Sequence, residues 1–136
     1  MIVWRLNIKP LSANEAFMGR KRKTAKYRDY EIKLPRMLPE LELPARGPIG
    51  LRVRVGYSNR AADIDNCLKP FIDILQKHYS FNDNRIYFIE VTKVKTEKGA
   101  EYISFDLFPL EQEPSDVVDI FENLEEGDDD HGSDSE

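Results

Sequence analysis

Two aspartates in the middle of the chain are the residues best suited to chemistry. Asp63 and Asp65 flank Ile64 in the stretch Ala62-Asp63-Ile64-Asp65-Asn66. In an extended segment both carboxylates project to one side while Ile64 anchors the other. Two such oxygen ligands form half of a Mg²⁺ site, because this hard cation prefers carboxylates and water. The alternative is that one of the aspartates caps the helix that follows.

Two more charged residues follow at spacings that would extend this site. Lys69 comes four residues after Asp65, one helical turn along the same face, where it could pair with the carboxylate or reach a phosphate. Asp83 follows the helix and precedes a strand, so it could return a third carboxylate to the same end of the sheet. Solvated helices often carry Asp-Lys pairs at this spacing, and loop aspartates often form turns, so both alternatives stay open.

Hydrophobic periodicity predicts the elements that must position these residues. The alternation over Ile2–Ile8 predicts a strand that Pro10 ends. Leu11–Arg28 is typical of a mobile basic loop, and we expect it to lead into a short helix that ends before Pro35. Four prolines within the range Pro35–Pro48 then predict an extended connection.

The second half of the body contains the stronger patterns. Alternation over Leu51–Tyr57 predicts a strand with a basic outer face, and apolar residues at helical spacing predict a helix from about Asn66 to Tyr79. The nearly continuous apolar opening of Ile86–Lys95 indicates a central strand, with Ile103–Leu107 as its hairpin partner. Residues 1–110 therefore predict a single α/β domain, with a mixed sheet of about four strands and flanking helices.

Charge separates this body from an acidic tail. The tail, Glu111–Glu136, holds 12 of the 25 acidic residues and none of the 20 basic ones, so residues 1–110 carry a net charge of +7. A basic body favours polyanionic partners, and the tail could shield that body or simply solubilise it. An apolar stripe predicts a short acidic helix over about 115–126 with Ser115 as its N-cap, and residues beyond it are too polar to order.

Composition excludes several classes of protein. With 40% hydrophobic and 33% charged residues, the chain is not expected to span a membrane, to be collagen-like or to be wholly disordered. Cys67 is the only cysteine, so no internal disulfide forms, and we expect it to be structural. The opening residues Met1–Arg5 do not resemble a signal peptide. We therefore expect a reducing, cytoplasmic location.

The motif residues together resemble a known family. Asp63-x-Asp65-Asn66-x-x-Lys69-Pro70-x-x-Asp73-x-Leu75, followed by Asn82-Asp83-x-x-Ile86, looks like the signature of the RusA-type Holliday junction resolvases of bacteria, prophages and phages. The opening is similar too, with Pro10-x-Ser12-x-Asn14, a basic loop and Tyr27-Arg28. The resemblance spans roughly residues 2–108 in order and leaves out the acidic tail.

This resemblance implies an activity and a set of site residues. Asp63, Asp65 and Asp83 correspond to the metal-binding carboxylates, and Lys69 corresponds to the catalytic lysine. The family implies a homodimeric crossover junction endodeoxyribonuclease that depends on Mg²⁺, for which Mn²⁺ can substitute, and that cuts four-way DNA junctions by paired nicks in recombination and repair. Many relatives have two consecutive acids where this sequence has Asn82-Asp83, so we assign the ligand to Asp83.

Charge explains how such a site would act on DNA. Mg²⁺ can lower the pKa of water and neutralise phosphate charge, while Lys69 would stabilise the charge that develops during cleavage. The DNA backbone would be neutralised by Arg20, Lys21, Arg22, Lys23, Lys26, Arg28 and Arg60. No base-reading motif accompanies them, which favours recognition of branched shape.

Two alternatives from other functional classes stay open. A catalytically silent nucleic-acid-binding module would keep the basic loop and use its acids structurally. A regulatory protein would use its acidic tail to imitate nucleic acid in a partner's basic groove. Loss of Mg²⁺-dependent nicking in an Asp65→Asn variant that still binds DNA would favour the enzyme over the binding module, and deletion of residues 111–136 would test the regulatory protein.

Overall fold

The computed structural model describes residues 3–19 and 22–115. The strands in these ranges are β1 (Trp4–Leu6), β2 (Phe17–Met18), β3 (Arg22–Lys23), β4 (Ile49–Tyr57), β5 (Ile86–Lys95) and β6 (Tyr102–Pro109). The helices are α1 (Ala13–Ala16), α2 (Ala25–Met37) and α3 (Leu68–Tyr79), and Asp83–Arg85 form one turn of 3-10 helix.

Four strands form one mixed sheet in the order β1-β6-β4-β5, and β2 pairs with β3 in a separate two-stranded ribbon. β4 runs parallel to β5 and antiparallel to β6, and β6 runs antiparallel to β1. Parallel neighbours need a crossover connection, which α3 supplies between β4 and β5. The prediction of a single α/β domain with a mixed four-stranded sheet and flanking helices is confirmed.

The hydrophobic core lies between this sheet and helices α2 and α3. Alternate residues of β4, including Leu51 and Val55, are fully buried together with Phe71 and Leu75 of α3. The Phe71 ring meets the ring of Phe105 in β6 edge to face, with 5.5 Å between centroids. This packing fixes α3 along β4, so that the helix begins near the C-terminal end of that strand.

β5 lies at the edge of the sheet, which contradicts the prediction of a central strand. Among the described strands it pairs with β4 alone. Tyr87 and Ile89 are 45% and 44% exposed, although Ile86 and Val91 pack against the core. The apolar opening of β5 therefore reflects partial packing at an open edge, which a run of apolar residues does not distinguish from full burial.

β6 is not the hairpin partner of β5, so that prediction is also wrong. It lies between β1 and β4 and pairs antiparallel with both, with Phe105 opposite Val53 of β4. Residues 96–101 connect β5 to β6 past the end of β4. Ile103 and Phe105 are fully buried. The interior position thus goes to β6, whose residues Tyr102–Phe105 are all buried.

The N-terminal region contains more regular structure than the predicted loop and short helix. Ser12 and Glu15 form a capping box at α1, and the Thr24 side chain caps α2. α2 has 13 residues and passes through Pro35, whereas we expected it to end before that residue. Pro35 has no N–H to donate to the Glu31 carbonyl, and the helix ends two residues later, at Met37. From residue 38 to residue 48 the chain is a connection without helix or strand, as predicted.

Some predictions fall on residues outside these ranges. The acidic helix predicted over about 115–126 lies beyond the described residues except for Ser115, and β1 covers only Trp4–Leu6 of the strand predicted over Ile2–Ile8. Within the described part of the chain, no helix is long and apolar enough to cross a membrane.

Candidate active site

The aspartate turn, residues Asp63–Asn66, leads from the loop after β4 into α3. Its backbone is folded into successive turns, with the Asn66 N–H donating to the Asp63 carbonyl at 3.3 Å. The turn is not the extended segment that we expected, and Ile64 is 45% exposed rather than anchored. Both aspartate side chains are exposed, and neither has a hydrogen bond or ion pair among the described residues. Two carboxylates are thus left available for a cation.

Lys93 holds the loop that leads into this turn. Its Nζ atom donates to the backbone carbonyls of Arg60 at 2.6 Å and Ala62 at 2.5 Å. Ala62 immediately precedes Asp63, so this contact from β5 fixes the entry to the aspartate turn. The Ala62 N–H also donates to the Asn59 carbonyl at 3.1 Å, which closes the loop on itself.

Buried hydroxyl and thiol groups lie behind the aspartates. Burial raises the pKa of the Tyr57 hydroxyl, and the Cys67 thiol and the charges of Asp65 and Asp63 raise it further. Burial likewise raises the pKa of Cys67, so its thiol stays protonated and is a poor nucleophile. The buried Tyr30 hydroxyl has no hydrogen-bond partner among the described residues. Chemistry at this end of the sheet is left to the carboxylates, since the groups behind them stay neutral.

Lys69 lies in the first turn of α3 and pairs with Asp73 rather than with Asp65. Its Nζ atom is 3.4 Å from Asp73 Oδ2, which the Tyr27 hydroxyl of α2 contacts at 3.5 Å. Burial and the neighbouring carboxylates of Asp73 and Glu31 raise the pKa of Tyr27 to about 12. The phenol is therefore a lasting hydrogen-bond donor to Asp73. Lys69 itself stays 65% exposed in its side chain, free to meet a ligand beside the aspartate turn.

Asp83 lies at the other end of α3. It follows the helix and precedes β5, whose first residue pairs with Ile49 at the start of β4. The expectation that it shares an end of the sheet with Asp63 and Asp65 is wrong, because β4 and β5 are parallel. A helix of 12 residues, about 18 Å long, separates the two places. Across residues 3–19 and 22–115, no three acidic, histidine or cysteine side chains could hold a metal ion together.

The basic residues predicted to bind DNA are linked to the aspartate turn through α1. The Ala13 N–H donates to the Asn66 carbonyl at 2.9 Å, and the Thr24 hydroxyl donates to the Glu15 carbonyl at 2.6 Å. These bonds place the start of α2 next to the aspartate turn. Lys26 pairs with Glu15 at 3.2 Å, a contact that also draws this part of α2 towards α1.

The individual basic residues differ in how free they are. Lys23 lies over the Tyr27 ring at 5.3 Å and pairs with Glu31 at 2.8 Å. Arg22, Arg28 and Arg60 are exposed, with no ion pair among the described residues. Arg20 and Lys21 lie outside the described residues. Arg22, Arg28 and Arg60 are therefore available to bind an anion, and Arg60 lies in the loop that leads into the aspartate turn.

Sequence reasoning missed two residues that shape this site. Asp73 holds Lys69, and its position four residues further along the helix was a signal that such a pair forms. Lys93 gave no comparable signal, because it contacts backbone carbonyls more than 30 residues away in sequence. Two unpartnered carboxylates beside an ammonium and free guanidinium groups form an arrangement suited to binding a divalent cation and a phosphate together.

Comparison with known proteins places the chain in a family. The family model described as endodeoxyribonuclease RusA matches residues 8–104 of the 136-residue chain. A search of curated proteins found no match. The chain therefore belongs to the RusA endodeoxyribonuclease family, and membership implies a nuclease that resolves Holliday junctions.

Proposed function

We propose that this RusA-family chain is a Mg²⁺-dependent, homodimeric endonuclease that resolves four-way DNA junctions by paired symmetric nicks, with Mn²⁺ able to replace Mg²⁺. The observation that carries the proposal is the aspartate turn, whose two exposed carboxylates lack partners among the described residues and come shortly before Lys69 in the first turn of α3. Exposed carboxylates without partners are open to a divalent cation.

The donor set at the aspartate turn fits a hard divalent cation. Asp63 and Asp65 would hold the ion through carboxylate oxygens, which Mg²⁺ and Mn²⁺ both accept. The bound ion supplies Lewis acidity towards the phosphate and the attacking water. The two carboxylates repel each other when no cation is present, so millimolar Mg²⁺ should raise the melting temperature of the protein.

We assign to Lys69 the role of stabilising the negative charge that develops during cleavage. Its ammonium is held 3.4 Å from Asp73 by an exposed contact between neighbouring helical turns, which contributes little stability. A scissile phosphate placed over the aspartate turn offers Lys69 a stronger acceptor. Asp73 and Tyr27 then keep the lysine close to that position between turnovers.

We assign DNA binding to basic residues of the N-terminal region and of the loop after β4. Arg22, Arg28 and Arg60 are free to contact backbone phosphates, and the proposal includes Arg20, Lys21, Lys23 and Lys26. Phosphate contacts carry no base sequence, so selection of a junction would rest on its branched shape.

A second subunit explains how Asp83 could take part. β5 has a free edge of ten residues with Tyr87 and Ile89 exposed, and long open edges tend to pair with another strand. If two β5 strands pair antiparallel about a twofold axis, the Ile86 end of one meets the Lys95 end of the other. Asp83 of the partner subunit is then beside the end of β4 from which the aspartate turn begins.

The dimer through β5 can be tested apart from catalysis. Ile89→Lys places a charge on the proposed interface, and sedimentation should show a shift from dimer to monomer. Ile32→Lys is the matched control, because Ile32 lies on α2 and is 56% exposed. Equal dissociation in both variants, or in neither, would contradict this interface.

The activity is tested with synthetic four-way junctions and linear duplex of the same sequence. We expect symmetric nicks in the junction with Mg²⁺ or Mn²⁺, none with a chelator, and little cleavage of duplex. Junction binding without cleavage under every metal condition would favour the nucleic-acid-binding module instead. Failure to bind DNA, with capture by a basic partner through residues 111–136, would favour the regulatory protein.

A further inference from the structure

Lys93 is a half-buried lysine whose charge is directed at a loop. It lies on the helix-covered face of β5, opposite Val55 in the register of the sheet. Its Nζ atom donates to the carbonyls of Arg60 at 2.6 Å and Ala62 at 2.5 Å. Among the described residues it has no carboxylate within ion-pair distance. The ammonium is therefore satisfied by backbone, not by an acidic side chain.

The loop whose two carbonyls Lys93 contacts has few other hydrogen bonds. The loop between β4 and the aspartate turn contains one further backbone bond, from the Ala62 N–H to the Asn59 carbonyl, and one from the Ala61 N–H to the Asn59 side chain. Removing the ammonium would leave the Arg60 and Ala62 carbonyls to water. The loop would then be free to change the direction in which Asp63 leaves it.

We propose that Lys93 is a positioning residue that holds the aspartate turn in the conformation that binds a divalent cation. This inference rests on the proposed function, since it concerns the same carboxylates. The proposal predicts a change in metal affinity opposite to the one that simple electrostatics predicts. A nearby positive charge repels a cation, so its removal should tighten metal binding if Lys93 acted only through its charge. Removal should weaken binding if the lysine acts by holding the loop.

The test measures Mn²⁺ binding to the DNA-free protein by calorimetry, in the unaltered chain and in Lys93→Met, Lys93→Arg and Lys33→Met. We expect Lys93→Met to bind Mn²⁺ about 10- to 100-fold more weakly, the usual effect of losing a residue that orients metal ligands. Lys93→Arg should recover part of the affinity. Lys33→Met is the matched control, because Lys33 is an exposed lysine of α2 whose ion pair among the described residues is with Asp29, one helical turn away. Unchanged or tighter binding in Lys93→Met would overturn the proposal.

Amide hydrogen exchange without metal gives an independent measurement. Lys93→Met should speed exchange at Ala62 and Asn66, whose N–H groups close the loop and the aspartate turn, and leave Val53 and Val55 of β4 unchanged. Uniform acceleration would mean general destabilisation and would reject a local role. If the unaltered protein binds no Mn²⁺, the proposed metal site fails, and the exchange result alone then confirms or rejects the hold on the loop.

Discussion

The two ends of α3 are built from similar parts. At each end an aspartate lies in a turn, and a basic side chain fastens a neighbouring loop through two backbone carbonyls. Lys93 contacts Arg60 and Ala62 at the N-terminal end. Arg85 donates to the Gly47 carbonyl at 2.8 Å and to the Pro44 carbonyl at 2.7 Å at the C-terminal end.

The ends differ in what their polar side chains do. At the C-terminal end the Asn82 side chain accepts from the Asn84 N–H at 2.9 Å, and the Gln76 side chain accepts from the Asp83 N–H at 2.7 Å. At the N-terminal end, Cys67 occupies the N-cap position, and its side chain does not cap the helix. The C-terminal end therefore uses Asn82 and Gln76 for local structure and leaves one carboxylate, that of Asp83, without a partner among the described residues, while the N-terminal end leaves two. Such locally unsatisfied groups are expected at functional sites.

The largest effect should come from the N-terminal end. Asp65→Asn should lower metal-dependent junction cleavage by about 1,000-fold or more, because a metal ligand supplies several kcal/mol of transition-state stabilisation. Junction binding should be retained or tightened, since a negative charge is removed. Gel-based cleavage and binding assays check both. Asp29→Asn, which alters an exposed aspartate of α2 paired with Lys33, should cleave normally; an equal loss in that control would contradict the assignment.

Mixing two inactive variants tests whether the two ends meet across a dimer. Asp65→Asn and Asp83→Asn each inactivate both sites of a homodimer if a site combines one end of α3 from each subunit. In a heterodimer, both changes then fall in one site and the other site is intact. An equal mixture should regain about one quarter of normal nicking, as single nicks, because half of the dimers are mixed.

The control for this experiment is equilibration of the subunits by brief dilution or mild denaturant before mixing. Nicking that stays absent after equilibration would place both aspartates in the same subunit's site. Full activity of Asp83→Asn alone would show that the C-terminal end is purely structural.

The sequence predicts those features of the fold and site that depend on residues close together along the chain. α3 and β4 follow from apolar spacing, and the pairing of Asp63 with Asp65 follows from their closeness in sequence. The edge position of β5 depends on pairing between distant segments, which periodicity does not encode. The position of Asp83, however, could have been predicted from the sequence. A strand-helix-strand unit makes parallel strands, so a residue after the helix lies at the opposite end of the strands from a residue before it.

Lys69 should give a smaller effect than the ligand aspartates. Lys69→Met should reduce cleavage by about 100-fold, comparable to removing one donor that stabilises developing charge. Its melting temperature should hardly change, because the exposed pair with Asp73 contributes about 0.5 kcal/mol or less. Asp73→Asn is the comparison variant, because it keeps the Lys69 ammonium and removes its partner. An equally large loss of cleavage in Asp73→Asn would mean that the Lys69–Asp73 pair matters more than the charge of Lys69 itself.

Arg85 should separate stability from metal binding. Arg85→Met removes the bonds to Gly47 and Pro44, and we expect a loss of about 1–2 kcal/mol in the free energy of unfolding. Mn²⁺ affinity should fall less than in Lys93→Met, because Arg85 lies beside one proposed ligand, Asp83, and Lys93 supports two. Urea denaturation and calorimetry measure the two quantities. Arg54→Met, which alters an exposed arginine of β4, should change stability by less than about 0.5 kcal/mol; a loss of Mn²⁺ affinity in Arg85→Met as large as in Lys93→Met would remove the distinction between the ends.

The smallest effect concerns the support that α1 gives to the aspartate turn. Glu15 accepts from the Ser12 N–H and pairs with Lys26. Partial burial alone would raise the pKa of Glu15, but the bonds from Lys26 and Ser12 outweigh it and lower the pKa below 4.5. An acid with a lowered pKa in the folded state stabilises the fold above its unfolded pKa. That contribution is lost as the pH falls through the folded value.

Glu15→Gln keeps the shape of the capping box and removes the charge. We expect a loss of less than about 1 kcal/mol at pH 7, because an exposed ion pair is worth little. The difference from the unaltered protein should shrink as the pH falls below 4.5, where Glu15 becomes protonated in both folded and unfolded chains. Urea denaturation at pH 7 and at acidic pH measures this, with Glu97→Gln as the exposed control. A difference that grows towards acidic pH would show that the carboxylate does not stabilise the α1 support of the aspartate turn.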